Sequence, residues 1–249
     1  MVEFNYLERL LDDEKDIDEY LRLFGDLQEP TKTVLGYTFD IAAYLYTLNL
    51  VNEYELFGGY AVLSHLMREY GSDVSKLWRG SNDIDMAGTT NVLNALRNGY
   101  NIFSDSESPN ILDKRTLKFS SDSERECKID FSTGDYSKKY GLAQCNTHLG
   151  IPLSVISPED IIRGKLTTPL EEEQHLGDIL AMVSVLEKKG YSPEDLSNIF
   201  IGTERNEFHN RLKYSSHIFR RDRFGFFPSK DFLGDLEKIL SKKKFKQIA

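Results

Sequence analysis

Arg79-Gly80-Ser81-Asn82-Asp83-Ile84-Asp85-Met86 is the stretch on which the reading of this chain turns. If residues 82 to 87 form a strand, side chains two apart leave on one face, so both carboxylates point one way while Ile84 turns into the core. Two like charges held that close require a cation. Mg²⁺ is the hard divalent ion that pairs one or two carboxylates with the phosphates of a nucleotide. The stretch therefore places two demands on the rest of the chain: a phosphate cradle and a third acid.

Upstream, Leu56-Phe57 leads into Gly58-Gly59, and Ala61, Val62, Leu63, Leu66 and Met67 follow as an amphipathic helix ending near Gly71. The order is an apolar strand or helix end, a double glycine, then a helix. Downstream, Cys127, Ile129 and Phe131 alternate with Lys128 and Asp130, which predicts a strand over 126–131 with Asp130 on the face opposite Ile129. Glu126 is a rival acid on the same side as Asp130. Asp130 is preferred because it lies inside the apolar run.

Working outward, apolar residues recur at helical spacing over 3–24 and again over 34–54, with Pro30 between them. Thr89 or Thr90 is placed to cap a short helix over 92–96 that Asn98-Gly99 closes. Strand character returns at 100–103 and 116–119, and the Ser-, Asp- and Pro-rich segment 104–110 reads as an exposed, mobile loop. A last strand, 153–156, runs into Ser157-Pro158-Glu159-Asp160, a helix start with Ser at the cap and Pro at the first position. Everything after it reads helical: 161–166, 171–189, 193–200, 204–213 and 232–242.

The expected fold class is α+β, a small mixed β-sheet core flanked by helices and followed by an all-helical C-terminal part. The expected divisions are an N-terminal helical segment at 1–53, the core at 54–156 and the helical region at 157–249. Trp78 and the aromatics from Tyr37 to Tyr46 read as core.

Composition excludes several classes. At 249 residues with 40% hydrophobic and 29% charged, the chain reads as an ordinary folded protein rather than a disordered one. No apolar run approaches the roughly 18 residues of a membrane span, so no membrane partner is expected. Met1-Val2-Glu3-Phe4 lacks a signal-peptide pattern, which points to a cytoplasmic location. Cys127 and Cys145 have no metal-ligand spacing and read as reduced thiols, and the histidines show no paired zinc spacing. A net charge of −9 argues against a globally basic nucleic-acid binder. The sign nevertheless reverses along the chain, from Asp12-Asp13-Glu14 near the start to Arg220-Arg221-Asp222-Arg223 and Lys242-Lys243-Lys244 near the end. Such a basic end suits a phosphate backbone, although charge runs are usually solvated faces.

Taken together, Gly58-Gly59, Arg79-x-Ser81-x-Asp83-Ile84-Asp85-Met86 and Lys128-Ile129-Asp130-Phe131 resemble the nucleotidyltransferase fold of the DNA polymerase beta superfamily. Within it the chain is most similar to the AbiE-type toxin nucleotidyltransferases of abortive-infection and toxin-antitoxin systems. Their helix start and Lys-Leu pair are matched by Ile156-Ser157-Pro158-Glu159-Asp160 and Lys165-Leu166. Their charged helix with an aspartate is matched by His175-Leu176-Gly177-Asp178-Ile179. The similarity covers roughly residues 54 to 186.

The resemblance implies transfer of a nucleoside monophosphate from a nucleoside triphosphate to an acceptor hydroxyl on RNA, protein or a small molecule, with Mg²⁺ or Mn²⁺ as cofactor. It implies that Asp83, Asp85 and Asp130 hold the metal, with Asp130 also drawing the proton from the attacking hydroxyl. Gly58 and Gly59 would bring backbone N–H groups to the triphosphate. Ser81 would donate to a phosphate, Lys165 would neutralise the departing pyrophosphate, and Arg79 would do the same or brace the loop. Asp178 completes the nucleotide-side set. A tRNA or other RNA acceptor and an antitoxin protein are the partners such a toxin would have. The chain departs from the pattern at Tyr60, where a small hydroxyl is common, in the long interval 69–76, and at Gln174-His175, where an arginine is usual. A catalytically silent nucleotide- or partner-binding module on the same fold is the competing expectation.

Overall fold

Alternating apolar and polar residues along Glu126–Thr133 can bury one side of a strand and leave the other for chemistry, and the sheet is assembled around that strand. The computed structural model describes residues 27–71, 74, 78, 80–108, 114–120, 126–133, 144–148, 150–168, 173–218 and 228–242. Its elements in chain order are α1 (Thr31–Thr47), a single 3₁₀ turn (Val51–Glu53), β1 (Tyr54–Phe57), α2 (Gly58–Tyr70), β2 (Ile84–Gly88), α3 (Thr90–Gly99), β3 (Ile102–Glu107), β4 (Lys114–Ser120), β5 (Glu126–Thr133), β6 (Gln144–His148) and β7 (Ile151–Val155), then α4 (Pro158–Leu166), α5 (Glu173–Lys188), α6 (Pro193–Ile199), α7 (Gly202–Ile218) and α8 (Lys230–Lys242).

The strands form one seven-stranded mixed sheet in the order β3-β4-β5-β2-β1-β7-β6. The β2/β5 and β1/β7 pairs are parallel and the remaining neighbours antiparallel. This is the α+β architecture expected, a mixed sheet with helices. Ile84, Met86, Leu117, Phe119, Ile129 and Phe131 are all buried. The ring of Phe119 packs edge-on to Tyr37 of α1, with centroids 4.8 Å apart, and at 5.1 Å from Tyr100 after α3. Below them Asp40, buried in α1, accepts a hydrogen bond from the Tyr100 hydroxyl at 2.8 Å.

The chain forms two compact units, the described residues of 1–76 with 80–157, and those of 77–79 with 158–249. In the second unit the apolar stripes of α5, α6, α7 and α8 supply Leu176, Ile179, Leu196, Phe208 and Leu236 to a helical core. Arg211 lies almost wholly inside it. Its guanidinium donates to the carbonyls of Leu166, the last residue of α4, and of Thr168 just beyond it, and pairs with Glu207 at 2.8 Å. α6 begins with a reciprocal cap between Ser192 and Asp195, the local signal that Ser-Pro-Glu-Asp predicts.

Several expectations are revised. The 104–110 segment is not all loop: Ser104–Glu107 continue β3, paired along β4, because Asp105 takes charge-assisted hydrogen bonds from Arg97 and Arg115 that tie this polar edge down. β6 is absent from the sequence reading because its inward side chains are polar, Asn146 and His148 meeting Ser64 at 3.0 and 3.1 Å. The helix expected over 34–54 stops at Thr47, and Tyr54 already belongs to β1. Among the aromatics read as core, Tyr37, Phe39 and Trp78 are buried but Tyr46 is exposed at the rim of α1. The helix expected over 3–24, the acidic stretch before residue 27 and the basic runs at 220–223 and 243–246 lie outside the described residues. Among the described residues, no helix is long and apolar enough to cross a membrane.

Candidate functional site

β1 ends at Phe57 and the chain turns at once into α2, whose first residue, Gly58, has φ +65°. A side chain there would be strained by conformation alone, and a β-carbon would fall 2.0 Å from Oδ2 of Asp85. The glycine is therefore a steric consequence of the carboxylate beside it. Gly59 follows, buried in the first turn of a 13-residue helix. The free N–H groups and positive dipole end of such a helix favour an anion at this point.

Asp83 sits just before β2, and Asp85 within it. The parallel pairing of β2 with β5 sets Asp85 directly beside Asp130. Adjacent strands lie about 4.8 Å apart, so the two carboxylates share one patch of sheet surface. Asp83 joins them through Lys128, whose Nζ is 3.3 Å from Oδ2 of Asp83 and 3.1 Å from Oδ2 of Asp130. The structure thus gathers Asp83, Asp85 and Asp130 on one face, opposite the buried Ile84 and Ile129. Glu126, the rival acid, instead pairs with Lys118 at 2.5 Å.

The electrostatics follow from these contacts. Burial works to raise the Asp130 carboxyl, but hydrogen bonds from Lys128 and Thr116 with the charges of Lys114 and Lys128 outweigh it and hold the group below the usual carboxylate range. Partial burial works against the Lys128 ammonium, while Asp130 and Asp83 outweigh it and raise Lys128 above its ordinary value. On the core side of the same strand, burial and then the nearby charge of Asp83 push the Cys127 thiol up, so it stays an uncharged, inert thiol.

Among the described residues, no three His, Cys, Asp or Glu side chains are drawn together tightly enough to form an assembled metal site. The ammonium of Lys128 stands between two of the acids. The donors are nonetheless of the right chemistry, hard carboxylate oxygens, two of them at a point already holding a positive charge. They fit a divalent ion of the Mg²⁺ type.

The other residues singled out from sequence have mixed placements. The Ser81 hydroxyl is directed at Asp83, 3.2 Å from its carbonyl oxygen and 3.4 Å from Oδ1. Tyr60, the departure from the expected small hydroxyl, is buried, and its hydroxyl lies 3.3 Å from the Thr31 carbonyl and 3.4 Å from that of Ser81, bracing the segment that carries the acids. Lys165 and Asp178 belong to the second unit, where they form a largely buried ion pair at 3.2 Å. Arg79 lies outside the described residues. Sequence reading gave no part to Lys128, Thr116 or Lys114, all of which touch Asp130. Lys128 was within reach, since period two puts residue 128 on the face of residue 130; Thr116 and Lys114 come from a strand whose register no local pattern reveals.

No family model matches the chain, and no curated protein matches it. Solved structures do align with it. The antibiotic-resistance factor ANT(2'')-Ia is 15% identical with a TM-score of 0.45, over 78% of this chain and 99% of its own. An antigenic nucleotidyltransferase-like protein from Paracoccidioides brasiliensis is 16% identical with a TM-score of 0.45, over 82% and 90%. The Megavirus polyadenylate synthase is 13% identical with a TM-score of 0.37, over 96% of this chain and 60% of its own. Likeness at this level leaves the functional reading to the site itself.

Proposed function

We propose that this chain is a metal-dependent nucleotidyltransferase that moves a nucleoside monophosphate from a nucleoside triphosphate to an acceptor hydroxyl. One observation carries the reading: Asp85 is at once the register partner of Asp130 and the group that fills the space beside Gly58 at the start of α2. Acids suited to a cation and N–H groups suited to a phosphate are contiguous, and nucleotidyl transfer needs both within one phosphate's reach.

In this mechanism Asp83, Asp85 and Asp130 would hold the ion. A divalent cation bound there neutralises phosphate charge as a Lewis acid. The N–H groups of Gly58 and Gly59 orient the triphosphate. Asp130, kept ionised by its neighbours, accepts the proton of the acceptor hydroxyl as that oxygen attacks the α-phosphorus, the bond between the α- and β-phosphates breaks and pyrophosphate leaves. Ser81, itself met by the Tyr60 hydroxyl, holds Asp83 at the start of β2. Arg79, Lys165 and Asp178 are assigned to the nucleotide on the sequence resemblance alone. The same resemblance supports a toxin role, with an RNA, a protein or a small molecule as acceptor and an antitoxin protein as partner.

A second reading, a silent nucleotide- or partner-binding module, is favoured by Lys128 alone, whose ammonium satisfies two of the acids in place of an ion. One assay separates the two. The full chain is incubated with labelled nucleoside triphosphates, Mg²⁺ and total RNA or cell extract. Label transfer that disappears in Asp83→Ala is the expected result. Tight nucleotide binding with no transfer to any acceptor would establish the silent module instead.

A further inference from the structure

We infer that Lys128 is a tethered competitor for the divalent ion: its ammonium bridges Asp83 and Asp130 and must leave before both can ligate a metal. The inference rests on the proposed function, because it concerns how the same carboxylates are loaded. The atoms divide cleanly. At Asp130, Oδ1 accepts from the Thr116 hydroxyl at 3.0 Å, while Oδ2 meets Lys128 at 3.1 Å and Lys114 at 3.5 Å. At Asp83, Oδ1 is 3.4 Å from the Ser81 hydroxyl and Oδ2 is 3.3 Å from Lys128. Each carboxylate is thus oriented through one oxygen by a neutral hydroxyl and occupied through the other by the same ammonium. When the Lys128 ammonium departs, the hydroxyls still meet Oδ1 of each group, while Oδ2 of Asp83 loses that contact and Oδ2 of Asp130 keeps only the longer one to Lys114.

The geometry also permits the departure. The Lys128 side chain is 37% exposed, so the charge has water to move into at little desolvation cost. Its stem is fixed in β5 two residues from Asp130, so the charge stays within reach and returns when the ion leaves. Without such a charge, three carboxylates on one face would repel one another in the ion-free state. Lys128 is thus a positioning residue with two effects: it holds the ion-free site together and raises the cation concentration needed to load it.

The test is Mn²⁺ binding to the full chain, followed by electron paramagnetic resonance without nucleotide, together with thermal unfolding in chelator and in saturating Mn²⁺. Removing two partly exposed ion pairs in Lys128→Met is expected to tighten Mn²⁺ binding about two- to tenfold. The variant should also unfold at lower temperature than the parent in chelator, and the gap should narrow in Mn²⁺. Lys128→Arg, which retains the charge and serves if the first variant does not fold, should bind Mn²⁺ no more tightly than the parent. Equal or weaker Mn²⁺ binding by Lys128→Met, or tighter binding by Lys128→Arg, overturns the inference. Asp83→Ala and Asp130→Ala tell the two failures apart. If Mn²⁺ binding is lost in them yet untightened in Lys128→Met, only the role of Lys128 falls; if binding is absent from the parent and Lys128→Met alike, or survives both alanines, the metal-dependent reading falls with it.

Discussion

Oδ2 of Asp85 lies 2.0 Å from where a β-carbon on Gly58 would stand, so the glycine and the aspartate define a single close-packed point between the start of α2 and the sheet. Gly58→Ala forces either the helix start or the carboxylate to move, and adds a positive φ that alanine tolerates poorly. The expected cost is about 1–3 kcal/mol of stability. Urea unfolding measures it, and the transfer assay should show activity falling by more than the stability loss explains.

Asp85→Asn and Asp130→Asn keep shape and remove charge. For each we expect transfer to fall by about 10²-fold or more, as for loss of a positioned acid-base or charge-stabilising group. For Asp130→Asn folding stability should change by only about 1 kcal/mol or less, since the lysines it pairs with are partly exposed. Retained activity in Asp130→Asn would remove that residue from the proton-transfer role.

His148 supplies a pH prediction. Burial, with a smaller contribution from the charge of Arg68, lowers its pKa from 6.5 to about 4 despite its contact with Ser64. Between these values the unfolded chain binds a proton that the folded chain refuses, so this stability is complete above about pH 6.5 and declines as pH falls toward 4. Because the ring is not wholly enclosed, the discounted loss is about 1–2 kcal/mol. Urea midpoints for the parent and His148→Gln at pH 7 and pH 4.5 should show the parent losing more over that interval.

Arg211 predicts a purely structural effect. Its buried guanidinium reaches the carbonyls of Leu166 and Thr168 while pairing with Glu207. Arg211→Met should cost about 2–4 kcal/mol by stranding those acceptors. Arg211→Lys should recover little, because an ammonium cannot span the same fork of acceptors. Denaturant unfolding is the measurement.

How legible the chain was varied with the kind of pattern involved. Segments whose buried side is apolar were readable: β5 alternates cleanly, and Gly58 marks the start of α2 in the sequence as it does in space. Segments whose order depends on polar contacts were not. β6 buries Asn146 against Ser64, and the outer half of β3 rests on Asp105 between two arginines, so both look like loop to any hydrophobic period.

The sequence alone determined which face of β5 carries acid, because a period of two leaves no other choice for Lys128 with Asp130. It could not determine that β5 would pair with β2 in parallel, placing Asp130 beside Asp85, or that β4 would bring Thr116 to the same carboxylate. Register between strands distant in the chain is fixed by how the whole sheet buries its apolar side against α1 and α3, and only the folded structure sums those contacts.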